Sequence, residues 1–498
     1  MVHRLRNGSA RAMTLAHEVP ASLAPPKLYI GGDWHDADRG ETFDVINPAT
    51  EETIARVADA TVADAIKAIN SAHTAQIEWA RRSPRERAET LRRCYETLMR
   101  DRERLARIIT LENGKSLTDS RGEVAYAAEF FRWFSEEAVR CAGETMRSPS
   151  SGARILVHHK PAGVAVLVTP WNFPAAMGTR KIAPALAAGC GVVLKPAAET
   201  PLTMLEVAAL LEESGVPAGL VNIVTTSRAA LVVEAMLNDS RTRVVSFTGS
   251  TETGRKLLRA SAANIINPAM ELGGNAPFIV FDDADLDAAV NGAMIAKMRN
   301  MGEACTAANR FLVHSKIHDD FVLRLVNRMG ALKVGNGLDP GVDVGPLVTD
   351  AARSKIARLV DDAVAKGATV QVGGAALPGR GYFYSPTVLT DVSPQAACVR
   401  EEIFGPIAAI QRFDSEEEVI RAANDTEHGL VGYIYSRDAI RALRVGEALE
   451  FGMIGVNRGL VSDPAAPFGG VKASGIGREG GREGIHEFLE TQYISIDW

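Results

Sequence analysis

The hydrophobic and polar positions in the N-terminal third of the chain change period several times, and each change predicts an element. Gly31 and Gly32 lie between short apolar runs and predict a hairpin over residues 29–34, and the turn at residues 47–52 leads into a strand over residues 53–57. Apolar residues then recur at helical spacing, and Ser83-Pro84 is a helix start signal. These stretches predict amphipathic helices over residues 62–80, 84–111 and 119–142.

From Arg154 onwards, apolar runs alternate with amphipathic stretches. Residues 155–160 alternate like a strand, whereas residues 163–168 are apolar throughout, as in strands buried on both faces. Strict alternation of strands and helices predicts a doubly wound parallel sheet, which binds ligands at the carboxyl ends of its strands. Further strands are predicted at residues 192–194, 221–224 and 244–247, and helices at residues 175–188, 204–214, 229–237 and 253–263.

A second α/β series follows residues 270–277, where we place a domain boundary. Its predicted strands include residues 278–281, 407–410, 432–435 and 453–456. A last strand, residues 493–496, is expected to pair with residues 155–160 or with a neighbouring subunit. At the other end, residues 1–26 are basic at first and lack the apolar segment of a secretion signal. We expect a disordered extension there, with a transit peptide as the alternative.

Composition excludes several classes of function. The chain has 498 residues, 23% charged and 46% hydrophobic, as in ordinary globular proteins of two or three domains. A net charge of -6 gives no reason to expect nucleic acid or an anionic membrane as partner, and no apolar run approaches the roughly 18 residues of a membrane span. Five scattered cysteines argue against a disulfide framework or a metal site and favour a reducing compartment such as the cytoplasm.

The candidate chemistry is centred on Cys305. This cysteine follows an amphipathic run at residues 286–300 and a break at Gly302, and it precedes an apolar run at residues 311–314. A cysteine at such a break can be exposed and can meet backbone N–H groups, as a reactive thiolate requires. The alternative is a small buried hydrophobe, because free cysteines are among the most buried residues.

Polar or glycine-rich segments follow several predicted strands, at residues 169–174, 195–201 and 247–254. The last segment contains Gly249 and Gly254 at a helix N-terminus, where the backbone can approach a phosphate. A literal G-x-G-x-x-G at residues 475–480 follows no predicted strand and lies far from the alternating sheet. We therefore do not interpret that second motif as a dinucleotide fingerprint.

Taken together, these motifs resemble the NAD(P)-dependent aldehyde dehydrogenase superfamily from about Pro26 to the end of the chain. Within that family the chain is most similar to the succinate-semialdehyde branch, through Arg180, Arg299 and the segment at residues 457–462. Such an ordered set is highly specific. The matching segments are residues 169–174, 195–201, 247–254, 270–277, 302–310, 401–406 and 467–472.

The resemblance implies an α/β fold of the aldehyde dehydrogenase type. It would comprise a cofactor-binding domain with a doubly wound parallel sheet, an α/β catalytic domain and a small β element for oligomerisation. The corresponding ranges are residues 27–142 and 161–270, residues 271–465, and residues 143–160 with 483–498. The resemblance further implies a homodimer or homotetramer that acts on a small aldehyde.

The catalytic roles that the resemblance implies fit the chemistry of the residues. Cys305 would attack the aldehyde as a thiolate, and the Asn172 side chain with the Cys305 N–H would hold the alkoxide. Glu271 would activate the water that hydrolyses the thioester and could also help to deprotonate the thiol. Glu479 matches a further family carboxylate that could relay protons to Glu271.

The cofactor is expected to be NADP in preference, with NAD also accepted. NAD-preferring relatives often place Glu three residues after the lysine, where it would repel the 2′-phosphate of NADP; here the position is Ala198, with Glu199 one residue further. Lys195 could then pair with that phosphate, with Arg228 as a helper. The residues expected at the cofactor are Trp171, Asn172, Lys195, Ala198, Gly249, Ser250, Leu272, Glu402 and Phe404.

The expected substrate is succinate semialdehyde. Arg180 and Arg299 match the carboxylate-binding arginines of that branch, and Ser462 matches its hydroxyl donor. Another semialdehyde such as glutarate semialdehyde, or a broad range of aldehydes, is the alternative within the family. A cysteine-dependent thioester hydrolase is the alternative of another class, because Cys305, Asn172 and Glu271 alone would suit that reaction.

Two positions near the nucleophile depart from the family pattern. Glu303 stands where close relatives often carry Gln, and a carboxylate facing the thiol would raise its pKa, so we expect it to point away. Ala307 stands where some relatives carry a second cysteine, so a regulatory disulfide is not expected.

Overall fold

The computed structural model describes residues 23–497, so the predicted extension lies mostly outside the described residues. The first part of the chain alternates strands and helices up to Glu271. Its elements are β1 (Leu28–Ile30), β2 (Asp33–His35), β3 (Thr42–Asn47), β4 (Glu52–Ala58), α1 (Val62–Arg81), α2 (Pro84–Arg100), α3 (Arg102–Asn113), α4 (Leu117–Glu137), β5 (Glu144–Arg147), β6 (Arg154–Pro161), β7 (Val164–Val168), α5 (Pro174–Ala188), β8 (Gly191–Lys195), α6 (Leu202–Glu213), β9 (Val221–Ile223), α7 (Ala229–Asn238), β10 (Thr242–Thr248), α8 (Thr251–Ser261) and β11 (Asn267–Glu271).

The second part of the chain contains short 3-10 turns at Arg299–Gly302 and His486–Phe488, and another such turn, Ala262–Asn264, precedes β11. Its strands and longer helices are β12 (Ala276–Val280), α9 (Leu286–Met298), β13 (Ala308–His314), α10 (His318–Gly330), α11 (Asp350–Ala365), β14 (Thr369–Val372), β15 (Thr387–Thr390), α12 (Ala397–Arg400), β16 (Ile407–Phe413), α13 (Glu416–Asn424), β17 (His428–Gly429), β18 (Val431–Tyr435), α14 (Ala439–Ala448), β19 (Met453–Val456), β20 (Val471–Lys472), β21 (Gly475–Ile476) and β22 (Leu489–Ile496).

An eight-stranded sheet has the order β2-β1-β9-β8-β7-β10-β11-β21. Its five central strands are parallel, as the alternation of strands and helices predicts, and β1 and β21 join the neighbouring strands in antiparallel fashion. From β7 the chain adds β8 and β9 on one side of the sheet. It then crosses to the other side of β7, where it forms β10 and β11. This reversal of strand order opens a crevice at the carboxyl ends of β7 and β10, the place where doubly wound sheets bind ligands.

A seven-stranded sheet has the order β14-β15-β16-β13-β12-β18-β19 and is parallel except for β14. Cys305 lies in a turn three residues before β13, at the amino end of that strand. Glu271 ends β11 of the first sheet. The carboxyl end of a strand in the first sheet and the amino end of a strand in the second sheet therefore contribute to the same region of the molecule.

The helix α5 connects this region to the core. All of its residues from Pro174 to Ala188 are buried, including Arg180 and Lys181. It packs against α4, which buries Phe130, Phe131 and Phe134. Two buried cations on an otherwise apolar helix require nearby anions, since an unpaired buried charge is costly.

A third sheet, of three strands, has the order β22-β6-β5. The strand β22 runs antiparallel to β6, from Leu489 opposite Pro161 to Ile496 opposite Arg154, which is one of the two pairings predicted for the last strand. The residues of β5 and most residues of β22 are exposed.

Several predicted bounds are wrong. The helix predicted over residues 84–111 is divided at Asp101, which separates α2 from α3, and α4 ends at Glu137 rather than at residue 142. The segment 475–480 begins as the short strand β21, paired with Met270 and Glu271, so it does not form a strand-to-helix turn. No helix within residues 23–497 is long and apolar enough to cross a membrane.

Candidate active site

A cavity of about 260 Å³ lies where the crevice of the first sheet faces the turn before β13. Most of the residues selected from the sequence lie on its wall: Trp171, Asn172, Arg180, Gly249, Ser250, Leu272, Arg299, Glu402, Phe404, Ser462 and Cys305. Glu271, Lys195 and Ala198 do not line it.

The turn that carries Cys305 depends on tight backbone contacts. After α9 the chain passes through Asn300 and Met301, whose φ angles of 51° and 59° are left-handed. Gly274 allows the turn to come close, because a Cβ on this glycine would lie 2.3 Å from the Cys305 carbonyl oxygen. Cys305 is half-buried and lines the cavity, and burial raises the pKa of its thiol to about 12. Arg180 and Arg299 oppose this rise in pKa, whereas Glu271 and Glu402 add to it.

The Asn172 side chain lies beside this turn. Its Nδ2 donates a hydrogen bond of 3.0 Å to the Glu303 carbonyl oxygen, which leaves the second amide proton for a group in the cavity. The Glu303 side chain instead accepts from the Val348 N–H at 3.3 Å and does not line the cavity. Glu303 therefore points away from the thiol, as predicted.

Glu271 is buried, and neither of its carboxyl oxygens has a hydrogen-bond partner among residues 23–497. Burial raises its pKa well above the ordinary value, and Glu479 raises it further, whereas Arg180 and Lys181 lower it. Glu479 itself forms ion pairs with both cations of α5. Glu271 is thus a carboxyl group whose surroundings favour the protonated form, next to a carboxylate that is neutralised by two cations.

The wall on the side of the first sheet fits a dinucleotide. Gly249 and Ser250 come just before α8, and the Ser250 hydroxyl caps that helix by accepting from the Thr253 N–H, so the positive end of the helix faces the cavity. Across it, the Trp171 and Phe404 rings stand edge to face, with their centroids 5.3 Å apart. The Glu402 carboxylate is held by the Gly274 N–H at 3.0 Å.

The adenosine end of such a ligand would reach beyond the cavity, towards the carboxyl end of β8. Lys195 is buried there, and its ammonium makes no hydrogen bond within the described part of the chain. Burial lowers the pKa of Lys195 and the nearby Glu199 raises it. Arg228, selected as a helper, forms an ion pair of 2.6 Å with Glu41.

The two arginines of the cavity differ in their partners. Arg180 is buried, pairs with Glu479 and lies 4.4 Å above the Phe468 ring. Arg299 lies 4.8 Å above the Phe173 ring and forms no ion pair within residues 23–497. The more available positive charge on the wall is therefore that of Arg299.

Comparison with known proteins decides the family. The model of the aldehyde dehydrogenase family matches residues 34–494. The chain belongs to the aldehyde dehydrogenase family. It is 54% identical to a succinate-semialdehyde dehydrogenase of Paenarthrobacter nicotinovorans, over 89% of this chain and 98% of that protein. It is 48% identical to a glutarate-semialdehyde dehydrogenase of Pseudomonas putida, over 96% of this chain and 98% of that protein.

The fold agrees with this family assignment. The crystal structure of an NADP-dependent enzyme of E. coli superimposes with a TM-score of 0.94 at 47% identity, over 95% of this chain and 98% of that one. The predicted α/β aldehyde dehydrogenase fold is thereby confirmed.

In this aldehyde dehydrogenase, sequence reasoning missed several residues of the cavity wall: Tyr126, Phe173, Met177, Lys355 and Phe468. Tyr126 and Met177 lie in helices whose apolar faces are continuous with the core. The helical spacing of apolar residues therefore does not distinguish a residue that lines the cavity from one that is buried in the core. The Lys355 Nζ donates to the Glu402 carbonyl oxygen at 2.7 Å, a contact that no local pattern indicates. The Tyr126 hydroxyl is buried without a hydrogen-bond partner in the described residues.

Proposed function

We propose that this aldehyde dehydrogenase oxidises succinate semialdehyde to succinate, with NADP as the preferred cofactor and NAD also accepted. The observation that carries the proposal is the wall of the cavity, where Cys305 and Asn172 lie together with Arg299, a guanidinium without an ion pair in residues 23–497. An arginine fork can fix a carboxylate while the aldehyde at the other end meets the thiol.

Before the first chemical step, Glu271 must release its own proton, because its surroundings favour the protonated form. Its carboxylate then takes the proton of the Cys305 thiol as the sulfur attacks the aldehyde carbon. The C–S bond forms, and the carbonyl π electrons move to oxygen. The resulting alkoxide accepts hydrogen bonds from the Asn172 side chain and the Cys305 N–H. When the nicotinamide is bound, it accepts the hydride that leaves this carbon. The carbonyl group then re-forms as a thioester.

Hydrolysis of the thioester uses the same groups. Once Glu271 has released its first proton, it can take a proton from water as the water oxygen attacks the thioester carbon. The C–S bond then breaks, and the sulfur leaves as a thiolate that is protonated again. Glu479, with Lys181 and Arg180, would assist Glu271 by receiving and passing on the proton.

At the acid end of the substrate, Arg299 is proposed to bind the carboxylate, with hydroxyl donors from Ser462 and Tyr126. The unpartnered hydroxyl of Tyr126 supports its inclusion, because a buried donor without a partner is costly unless a ligand supplies one. The charge of Arg180 is already balanced by Glu479, so we assign it a smaller share of this contact.

On the cofactor side, Trp171, Gly249, Ser250, Leu272, Glu402 and Phe404 are proposed to hold the dinucleotide. The absence of a carboxylate at Ala198 supports NADP, and so does the similarity to an NADP-dependent enzyme of E. coli. Glu199 is the group that opposes NADP, since its charge acts on Lys195.

The domain and assembly assignments remain proposals. We propose a cofactor-binding domain of residues 27–142 and 161–270, a catalytic domain of residues 271–465, and oligomerisation strands at residues 143–160 and 483–498. The exposed three-stranded sheet supports assembly into a homodimer or homotetramer. We place the enzyme in the cytoplasm.

One assay tests the proposal: the absorbance of reduced nicotinamide is followed with succinate semialdehyde, glutarate semialdehyde and butanal, each with NADP and with NAD. The highest kcat/KM is expected for succinate semialdehyde with NADP. A higher value for glutarate semialdehyde would favour the activity of the Pseudomonas putida relative. Thioester hydrolysis without any reduced nicotinamide would instead favour the hydrolase.

A further inference from the structure

A buried ion pair lies behind the cavity wall without reaching the cavity. The Lys115 ammonium is 2.6 Å from the Glu123 carboxylate, and both side chains are 0% exposed. Lys115 follows the turn after α3, and Glu123 belongs to α4. Neither residue lines the cavity. Two charges removed from water need further hydrogen bonds to compensate for lost hydration, so their other contacts show what the pair does.

Those contacts fix the segment that carries Asn172. The Lys115 Nζ donates to the Asn172 carbonyl oxygen at 2.6 Å and lies 4.2 Å from the centre of the Phe173 ring. The second oxygen of Glu123 accepts from the Ala175 and Ala176 N–H groups at 2.8 and 3.3 Å. Phe173, the residue before α5, offers no side-chain cap, so Glu123 supplies it.

Asn300 joins this segment to the turn of the nucleophile. Its Nδ2 donates to the Asn172 carbonyl oxygen and to the Glu303 carbonyl oxygen, both at 2.9 Å. The Asn172 side chain donates to that same Glu303 carbonyl oxygen. Asn300 holds a left-handed conformation that asparagine tolerates better than most residues.

We propose that the Lys115–Glu123 pair, together with Asn300, positions the Asn172 amide relative to Cys305 and thereby sets kcat, without touching substrate or cofactor. Lys115 and Glu123 are positioning residues on this view, and their effect passes through Asn172. The inference rests on the proposed function, because it takes Asn172 as the donor to the alkoxide.

A double-mutant cycle of Lys115→Met and Asn172→Ala tests the proposal. Lys115→Met should lower kcat by about 10- to 100-fold, because a misplaced oxyanion donor loses much of its effect. The Kd of the cofactor and the rate of Cys305 alkylation by iodoacetamide should each change less than about twofold, because the polar contacts of Lys115 are to Glu123 and the Asn172 carbonyl oxygen and not to Cys305 or the residues proposed to hold the dinucleotide. In the Asn172→Ala background, Lys115→Met should cost less than about threefold in kcat.

Glu112 provides a matched control. It is a buried carboxyl group that accepts from the Leu202 and Thr203 N–H groups at the start of α6, as Glu123 does at α5, but no residue of α6 lines the cavity. Glu112→Gln should leave kcat within about twofold, whereas Glu123→Gln should lower it by about fivefold or more. If Lys115→Met does not fold, the double variant Lys115→Met/Glu123→Gln removes both buried charges and enters the same cycle.

The outcomes separate the two proposals. A large loss from Lys115→Met that vanishes in Asn172→Ala supports positioning through Asn172. Equal losses in both backgrounds, or a loss of cofactor binding to match the loss of kcat, overturn the inference and indicate a general structural role. An undiminished kcat in Asn172→Ala overturns the role of Asn172 in the proposed function itself.

Discussion

Individual residues of the site have protonation states that follow from burial. The thiol of Cys305 and the carboxyl group of Glu271 both have a raised pKa, mainly because their charged forms are desolvated. Arg180 opposes both rises, but Glu479 offsets its charge. Near neutral pH the resting thiol is therefore protonated, and its attack requires a proton acceptor.

A pH profile of alkylation tests this state. With a pKa of about 12, the rate at which iodoacetamide modifies Cys305 in the cofactor-free enzyme should rise about tenfold per pH unit, with no plateau below about pH 10. Cys305→Ala serves as the control for reaction at the other cysteines. A plateau near pH 8 to 9, about that of an ordinary thiol, would contradict the raised pKa.

Because Arg299 forms no ion pair within residues 23–497, its charge leads to a prediction about substrate specificity. Arg299→Ala should lower kcat/KM for succinate semialdehyde at least tenfold, because losing one partner of a desolvated charge pair costs about 2–5 kcal/mol. Butanal, which has no carboxylate, should be oxidised almost as before. Tyr126→Phe should show the same selectivity with a smaller loss. Equal losses for both aldehydes would argue against a carboxylate site.

The residue at position 198 is predicted to influence cofactor choice. A carboxylate there would accept the ribose hydroxyl of NAD and repel the 2′-phosphate of NADP, so Ala198→Glu should shift the ratio of kcat/KM values towards NAD by about tenfold or more. Ala198→Gln, which lacks the charge, is the matched control. A wild-type kcat/KM with NADP that is a hundredfold below that with NAD would contradict the preference proposed here.

At the scale of elements, the site depends on how closely two segments pass. The segment after β11 touches the turn of Cys305 at Gly274, where a Cβ would lie 2.3 Å from a carbonyl oxygen. The Cys305 carbonyl group belongs to the backbone and cannot move aside as a flexible side chain could. The close approach of this segment to the turn of Cys305 thus depends on the absence of a side chain at Gly274.

We predict that Gly274→Ala displaces the turn of Cys305. It should lower the free energy of unfolding by about 1–3 kcal/mol and reduce kcat strongly, since overpacking shifts the backbone. Gly122→Ala is the control, because Gly122 lies on the exposed face of α4 with nothing within 4 Å, and it should stabilise by about 0.5–1 kcal/mol. Denaturant unfolding and initial rates measure both, and a fully active Gly274→Ala would refute the tight approach.

Whether an element could be predicted from the sequence depends on how far apart in the chain the residues that stabilise it lie. Apolar strands such as β7 and the helices between them were predictable, because burial on both faces leaves a local pattern. The break at Asp101 was missed, since the amphipathic pattern continues across it. The two-residue strand β21 carries no such pattern, and it forms only because Met270 and Glu271 offer it a free edge.

The same distinction holds for the site. Its candidate residues were selected from motifs, each of which is local in sequence. Lys181 and Glu479, which form an ion pair, are 298 residues apart in the chain. Arg180 pairs with the same carboxylate, which changes how much of the Arg180 charge remains for a substrate. Tyr126 was missed for the same reason, because it lines the cavity together with residues of other elements, such as Arg299 and Phe173.

At the scale of the whole molecule, the three-stranded sheet presents an apolar face. Successive residues of a strand alternate between faces, so the register places Tyr493, Val157, Ile155 and Met146 on one face. Tyr493 is 69% and Met146 43% exposed in the single chain. An apolar face of this kind suits contact with another copy.

We predict that Tyr493→Lys together with Met146→Lys disrupts assembly without unfolding the subunit. Light scattering after size exclusion should give the mass of one chain, 53.3 kDa, whereas circular dichroism should be unchanged. Gln492→Lys, at an exposed position on the opposite face of the same strand, is the control. A dimer or tetramer that survives the double change would place the interface elsewhere.

The long-range pairing of β11 with β21, and of α5 with Glu479, has a consequence for synthesis on the ribosome. About 170 residues separate Cys305 from Glu479, so at about 5–20 residues per second the nascent chain carries its reactive cysteine for roughly 10–35 s before the last groups of the site exist. Arg180 and Lys181 of α5 are synthesised earlier still, and their ion pairs cannot form until Glu479 has been synthesised. On the proposed mechanism, full catalytic competence therefore cannot precede the synthesis of Glu479.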